Sequence, residues 1–171
     1  MRNSSKNIVL LGMSGVGKTT VGRLLSKKIK RTFCDIDHEF EEITKIRIPD
    51  FFSTYGEDEF RKIERNIIKE ILNKRENTII STGGGIFSNA EIRDFIIQKT
   101  NTFFLKASIS TLINRLKKNF NNRPMLNRGN LKYNIEKLYQ KRIKNYMMAD
   151  NIIEVHDLSV DEIVLKIIKK I

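Results

Sequence analysis

Short apolar runs alternate along the chain with longer amphipathic stretches. Asn7–Leu11 reads NIVLL, an unbroken run of the kind a strand buried on both faces requires. It passes into GMSGVGKTT and then into a helical pattern of Val21, Leu24, Leu25, Lys28 and Ile29. A short strand is predicted at Thr32–Asp35, with Asp35-Ile36-Asp37 closing it. His38–Lys45 and Glu57–Lys74 read as helices, the second carrying Phe60, Ile63, Ile67, Ile68, Ile71 and Leu72 on one side. Thr78–Ser81 is a third strand, ended by Gly83-Gly84-Gly85. Asn89–Gln98 is predicted helical, Thr102–Leu105 a fourth strand and Ser110–Lys118 another helix. Leu131–Met148 is again helix, Ile152–Val155 a fifth strand, and Val160–Ile171 a closing helix.

Strands alternating with helices predict an α/β fold: a parallel five-stranded sheet covered on both faces. Ligands of such sheets gather beyond the C-terminal ends of the strands, where both glycine clusters fall. The rhythm breaks at 119–130, which is rich in Asn, holds Gly, Pro and two Arg, and has neither period. A polar loop of that length in a compact domain is either disordered or a functional lid. No repeat or linker divides the chain, so residues 1–171 are read as one domain.

Composition narrows the function classes. With 40% hydrophobic residues and no apolar run near the ~20 residues of a membrane-spanning helix, a soluble protein without a membrane partner is expected. The polar start MRNSSKN leads straight into a strand, so no signal peptide is expected and the cytoplasm is the natural location. The single cysteine, Cys34, excludes an internal disulfide, and no Cys/His cluster offers a zinc site. A net charge of +12 raises the question of nucleic acid. Yet Lys, Ile and Asn number 20, 26 and 16, Trp is absent, and Pro occurs twice. That joint bias is the imprint of an AT-rich coding sequence, and the basic residues are scattered, so no nucleic-acid partner is expected.

Gly12-Met13-Ser14-Gly15-Val16-Gly17-Lys18-Thr19 matches G-x-x-x-x-G-K-S/T after a strand and before a helix. Its glycines let backbone N–H groups turn around phosphate oxygens, and the helix N-terminus adds partial positive charge. Lys18 can reach the β- and γ-phosphates, and the Thr19 hydroxyl can ligate magnesium. The motif says nucleotide without saying which reaction. Asp35 and Asp37, two apart, fit a metal and a substrate hydroxyl; the alternative makes Asp37 the N-cap of the acidic helical turn that follows. Three consecutive glycines, 83–85, admit close approach of backbone N–H groups. Arg61 opens the long helix, Arg123-Pro124 sits in the aperiodic segment, and Arg142 stands four residues before Tyr146.

Taken in order, these elements resemble the shikimate kinase family of P-loop kinases, relatives of the nucleoside monophosphate kinases. The likeness runs from Asn7 to about Val155: Gly12–Arg23, Asp35 and Asp37, Phe52–Glu64 with its Gly56-Glu57 and Phe60-Arg61, Gly83–Gly85, Arg123–Leu126, and Arg142 with Tyr146, Ala149 and Asp150. The resemblance implies a three-layer α/β/α fold with a lid at about 119–130 and a substrate-binding helical region at about 37–64. It implies transfer of the γ-phosphoryl of ATP to the 3-hydroxyl of shikimate, with Mg²⁺, by a monomer. In that light Gly12, Ser14, Gly15, Val16, Gly17, Lys18, Thr19 and Thr20 hold ATP, with Arg115 flanking adenine and Arg123 on the phosphates. Lys18, Asp37 and Arg123 are the catalytic set. Asp37, Arg61, Gly83, Gly84, Gly85 and Arg142 take shikimate, the two arginines gripping its carboxylate. Thr19 and Asp35, with Ser81 nearby, lie at the metal. The chain departs from the family in Lys45, where Gly is usual, and in Met125. It also lacks Pro after Arg142 and Arg near His156-Asp157. The competing readings are a gluconate or nucleotide kinase of the same fold, and a P-loop switch that binds nucleic acid or a partner.

Overall fold

In a computed structural model describing residues 6–117 and 130–171, the apolar run Asn7–Leu11 becomes β1, the middle strand of five. The others are β2 (Thr32–Asp35), β3 (Thr78–Ser81), β4 (Thr100–Lys106) and β5 (Asn151–Glu154), in the order β2-β3-β1-β4-β5. All pairings are parallel, with Leu10 opposite Ser81 on one side and Phe103 on the other. Every residue of β1 is buried, which is why it carries no alternation. Asn7, the polar exception, fixes its start: it donates to Arg75 O at 2.7 Å and accepts from Thr78 N–H at 2.9 Å. That side chain ties the entry of β1 to the entry of β3.

Seven helices flank the sheet among the described residues: α1 (Lys18–Ile29), α2 (Ile36–Thr44), α3 (Ile48–Lys74), α4 (Ala90–Lys99), α5 (Ile109–Leu116), α6 (Leu131–Tyr146) and α7 (Val160–Ile168). The core lies where Leu25, Ile68, Ile96 and Val164 of the helices meet Val9, Leu10, Ile80 and Phe103 of the strands. Helix starts follow local chemistry. Asn89, Ser108, Asn130 and Ser159 cap α4, α5, α6 and α7, and Ser159 with Glu162 forms a reciprocal capping box.

One expectation needs correction and another extension. The strand does not continue through Asp37: β2 stops at Asp35, and Asp37 stands in the first turn of α2. Asp35 is the cap, its Oδ1 accepting from Asp37 N–H at 3.1 Å, so the local hydrogen bond ends the strand two residues early. Helical structure in α3 already runs from Ile48, with Pro49 in its first turn, ahead of the stretch expected from Glu57. It breaks at Gly56, where φ is +81° and ψ 177°, a conformation open essentially to glycine alone. The segment 119–130, Arg123 included, lies outside the described residues apart from Asn130. Among the described residues no helix is long and apolar enough to cross a membrane.

Candidate active site

The loops after β1, β2 and β3 converge at the carboxyl edge of the sheet because those strands are neighbours there. The first is the glycine-rich loop ending at Gly17, the N-cap of α1. Gly12 has φ +142°, and a Cβ on it would lie 2.7 Å from the carbonyl oxygen of Leu105, so no side chain fits. Lys18 is buried and folds back over the loop, donating to Gly12 O at 2.8 Å and Met13 O at 3.1 Å. Arg115 reaches across from α5 and donates to Val16 O at 2.7 Å, which braces the loop from outside. Thr20 is exposed.

Thr19, Asp35 and Ser81 form one oxygen cluster. The Thr19 hydroxyl donates to Asp35 Oδ2 at 2.6 Å and stands 3.4 Å from Ser81 Oγ. Asp35 therefore uses one oxygen as helix cap and the other toward the phosphate loop, and the cap expected at Asp37 falls two residues earlier. Hydroxyls with a carboxylate are the hard donor set magnesium prefers.

Beside this cluster opens a cavity of about 730 Å³, within the range of small-molecule sites. Ser14, Thr19 and Asp35 line it at the phosphate end; Asp37, Arg61, Gly83–Gly85 and Arg142 line the rest. The triple glycine has a sharper reason than bare backbone approach. A Cβ on Gly83 would collide with Glu64 Oε1, and one on Gly85 with the Arg61 guanidinium. On Gly84 it would crowd Arg142 Nη1 at 3.1 Å. The glycines leave room for three charged side chains.

Those side chains are tightly organised. Arg61 bonds Glu64 at 2.6 Å and Glu57 at 3.3 Å, and its guanidinium lies 5.0 Å from the Phe60 ring centre. Burial works against its charge, but Glu64 and Glu57 outweigh burial and hold its pKa above the ordinary value. Glu64 is 1% exposed, and its Oε1 has no hydrogen-bond partner among the described residues. Arg142, 6% exposed, comes from α6. One turn on, the Tyr146 hydroxyl donates to Gly84 O and pins the glycine run. Burial pushes that phenol up to about 12, against the lowering charge and hydrogen bond of Arg142.

Sequence reasoning thus named the groups at the cavity and missed two that arrange them. Glu64 was legible only as part of a motif, and Tyr146 only as a spacing. Their signals are the i+3 and i+4 separations from Arg61 and Arg142, which place each pair on one helix face. Of the residues expected on the nucleotide side, Gly12, Gly15, Val16, Gly17 and Lys18 form the loop itself, and Arg115 lies against it.

Fold and site together define the class: a P-loop kinase. A gluconokinase from Sinorhizobium meliloti shares the fold, with a TM-score of 0.60 at 15% identity over 96% of this chain and 90% of that one. The chain belongs to the shikimate kinase family, whose model matches residues 14–171. It is 40% identical over 165 residues to shikimate kinase of Thermodesulfovibrio yellowstonii, covering 96% of this chain and 94% of that one. A solved structure, shikimate kinase from Acinetobacter baumannii in complex with shikimate, superposes with a TM-score of 0.92 at 32% identity, covering 96% and 92% of the two chains. This chain is accordingly an ATP-dependent kinase, a transferase.

Proposed function

We propose that the protein moves the γ-phosphoryl of ATP to the 3-hydroxyl of shikimate, giving shikimate 3-phosphate and ADP. The observation that carries this reading is the convergence of Asp37, Arg61, Arg142 and the triple glycine on one cavity that opens onto the phosphate loop. Planar guanidinium forks suit a carboxylate, and the Asp37 carboxylate in the same cavity suits a hydroxyl. The acceptor then lies with its acid group at Arg61 and Arg142 and its reacting hydroxyl at Asp37. A loose transition state needs little early proton removal, so Asp37 chiefly orients the nucleophile and takes its proton late. Lys18 leaves the Gly12 and Met13 carbonyls for the phosphates when ATP enters. Arg123, outside the described residues, is assigned to the phosphates by resemblance.

Thr19, Asp35 and Ser81 would hold Mg²⁺, Asp35 and Ser81 through water. When bound, the ion neutralises charge between the transferring phosphates. A lid at about 119–130, a cytoplasmic location and action as a monomer complete the reading.

The test is coupled ADP release with shikimate and gluconate supplied separately, with and without magnesium. Magnesium-dependent turnover on shikimate is expected, and Lys18→Ala should lower it by about 10²–10³. Robust turnover on gluconate with background turnover on shikimate would overturn the assignment.

A further inference from the structure

Behind Arg61 and Arg142 lies a second cavity, of about 250 Å³. It shares Arg61, Glu64 and Arg142 with the main cavity, so these side chains form a wall between the two. Its outer lining adds Glu57 and Arg65 from α3 and Lys141 from α6. Nothing in the proposed chemistry uses Arg65 or Lys141.

The charges of the wall explain what they do. Arg61 and Arg142 face Glu57 and Glu64, two cations against two carboxylates, and both carboxylates are bonded to Arg61. The inner four groups therefore cancel. An acceptor carboxylate arriving there meets good hydrogen-bond donors but no net attraction. The main cavity does not supply it either: Asp35, Asp37 and Glu41 line it against one further cation, Arg47, which is paired with Asp50 at 2.8 Å. The surplus positive charge comes from Arg65 and Lys141. Among the described residues neither has a carboxylate within 4 Å. Arg65 is felt by Glu91, but Glu91 is already paired with Lys69 at 2.5 Å. Arg65 is half-buried and Lys141 exposed, so both charges are held at the solvent side of the wall.

The geometry points to Arg65 and Lys141 as specificity-determining residues that make this site select an anionic acceptor over a neutral one of the same shape. They act through the field in the outer cavity, without touching the acceptor. This rests on the reading of Arg61 and Arg142 as the carboxylate grip. Because the two charges are partly solvated, their effect is weakened by salt, the screening length falling from about 10 Å at 0.1 M to about 3 Å at 1 M.

The experiment compares shikimate with its neutral methyl ester, as substrate or as competitive inhibitor, in wild type and in the double variant Arg65→Gln/Lys141→Gln. At low ionic strength the double variant should weaken shikimate about five- to tenfold, the scale of two screened unit charges. The ester constant, kcat and the KM for ATP should stay unchanged, and about 0.5 M salt should erase the difference. Lys141→Arg should behave as wild type. Equal weakening of acid and ester, weakening that persists in salt, or no weakening overturns the inference. Arg142→Ala separates it from the reading beneath. If Arg142→Ala leaves the preference for acid over ester intact, the carboxylate grip itself is misplaced. If it abolishes that preference while the double variant does nothing, only the role of Arg65 and Lys141 fails.

Discussion

Gly85 carries no side chain because the Arg61 guanidinium occupies that space, and Gly83 carries none because Glu64 does. The two positions differ in what gives way. Arg61 is a long side chain at the cavity surface and can retreat, so Gly85→Ala should fold normally. Retreat spoils a charged hydrogen bond worth roughly 1.5–3 kcal/mol, and the KM for shikimate should rise at least about tenfold with the KM for ATP unchanged. Steady-state kinetics with each substrate varied in turn checks this, and parallel changes in both constants would count against it. Glu64 is buried, so Gly83→Ala should instead cost stability. Another residue is exposed as a misfit by its backbone. Lys45, where the family usually has Gly, ends α2 with φ +58°, and its ion pair with Glu42 is solvent-exposed. A left-handed non-glycine residue carries a strain of about 1 kcal/mol, so Lys45→Gly should raise stability by about that much in urea unfolding.

At the level of elements, the phosphate loop was legible because its requirement is local: glycines at fixed spacing between a strand and a helix. The inner strands β1, β3 and β4 were legible for a similar reason, since burial on both faces leaves short apolar runs, while the partly exposed edge strands β2 and β5 were legible from their place between helical stretches. The first half of α3 was not. Residues 48–55, IPDFFSTY, offer aromatic and β-branched residues of modest helix propensity, and the helix is held by long-range packing. Phe40 stacks edge-on with Phe51 at 4.9 Å and lies 4.7 Å from Phe60, while Phe52 reaches Phe60 at 4.6 Å. The bracing of the loop by Arg115 joins residues 99 apart, and no local pattern announces it. Gly56 is the hinge that lets both halves of α3 reach this aromatic cluster while Arg61 faces the cavity. A Cβ on Gly56 would meet nothing within 4 Å, so only its dihedral angles forbid a side chain. Gly56→Ala should therefore cost about 1–3 kcal/mol and raise the KM for shikimate more than that for ATP. An alanine variant as stable as wild type would show that the break is not kept in solution.

At the scale of the whole molecule, two buried acids, a thiol and a phenol, are raised above their ordinary values and act in the same direction on stability. Burial, with the charge and hydrogen bond of Glu39, pushes the Cys34 thiol from 9.0 to about 12. Burial likewise pushes the Tyr146 phenol from 10.0 to about 12. Both groups keep their protons in the folded state at pH values where the unfolded chain releases them. The folded state then binds more protons, so stability falls as pH rises. The contribution of each is fully present below its unfolded pKa, near 9 for the thiol and 10 for the phenol, and is lost by about 12. A net charge of +12 works the other way, because alkali relieves self-repulsion. That term is spread over the surface and screened, so added salt separates the two. In about 0.5 M salt, where the screening length is only a few ångströms, unfolding free energy should be level to near pH 9 and then decline. Cys34→Ala should lower stability overall but flatten the decline between pH 9 and 10, leaving the later fall to Tyr146. Denaturant melts across that range read the slope directly, and an unchanged slope in Cys34→Ala would mean that the thiol is not buried beside Glu39 as described.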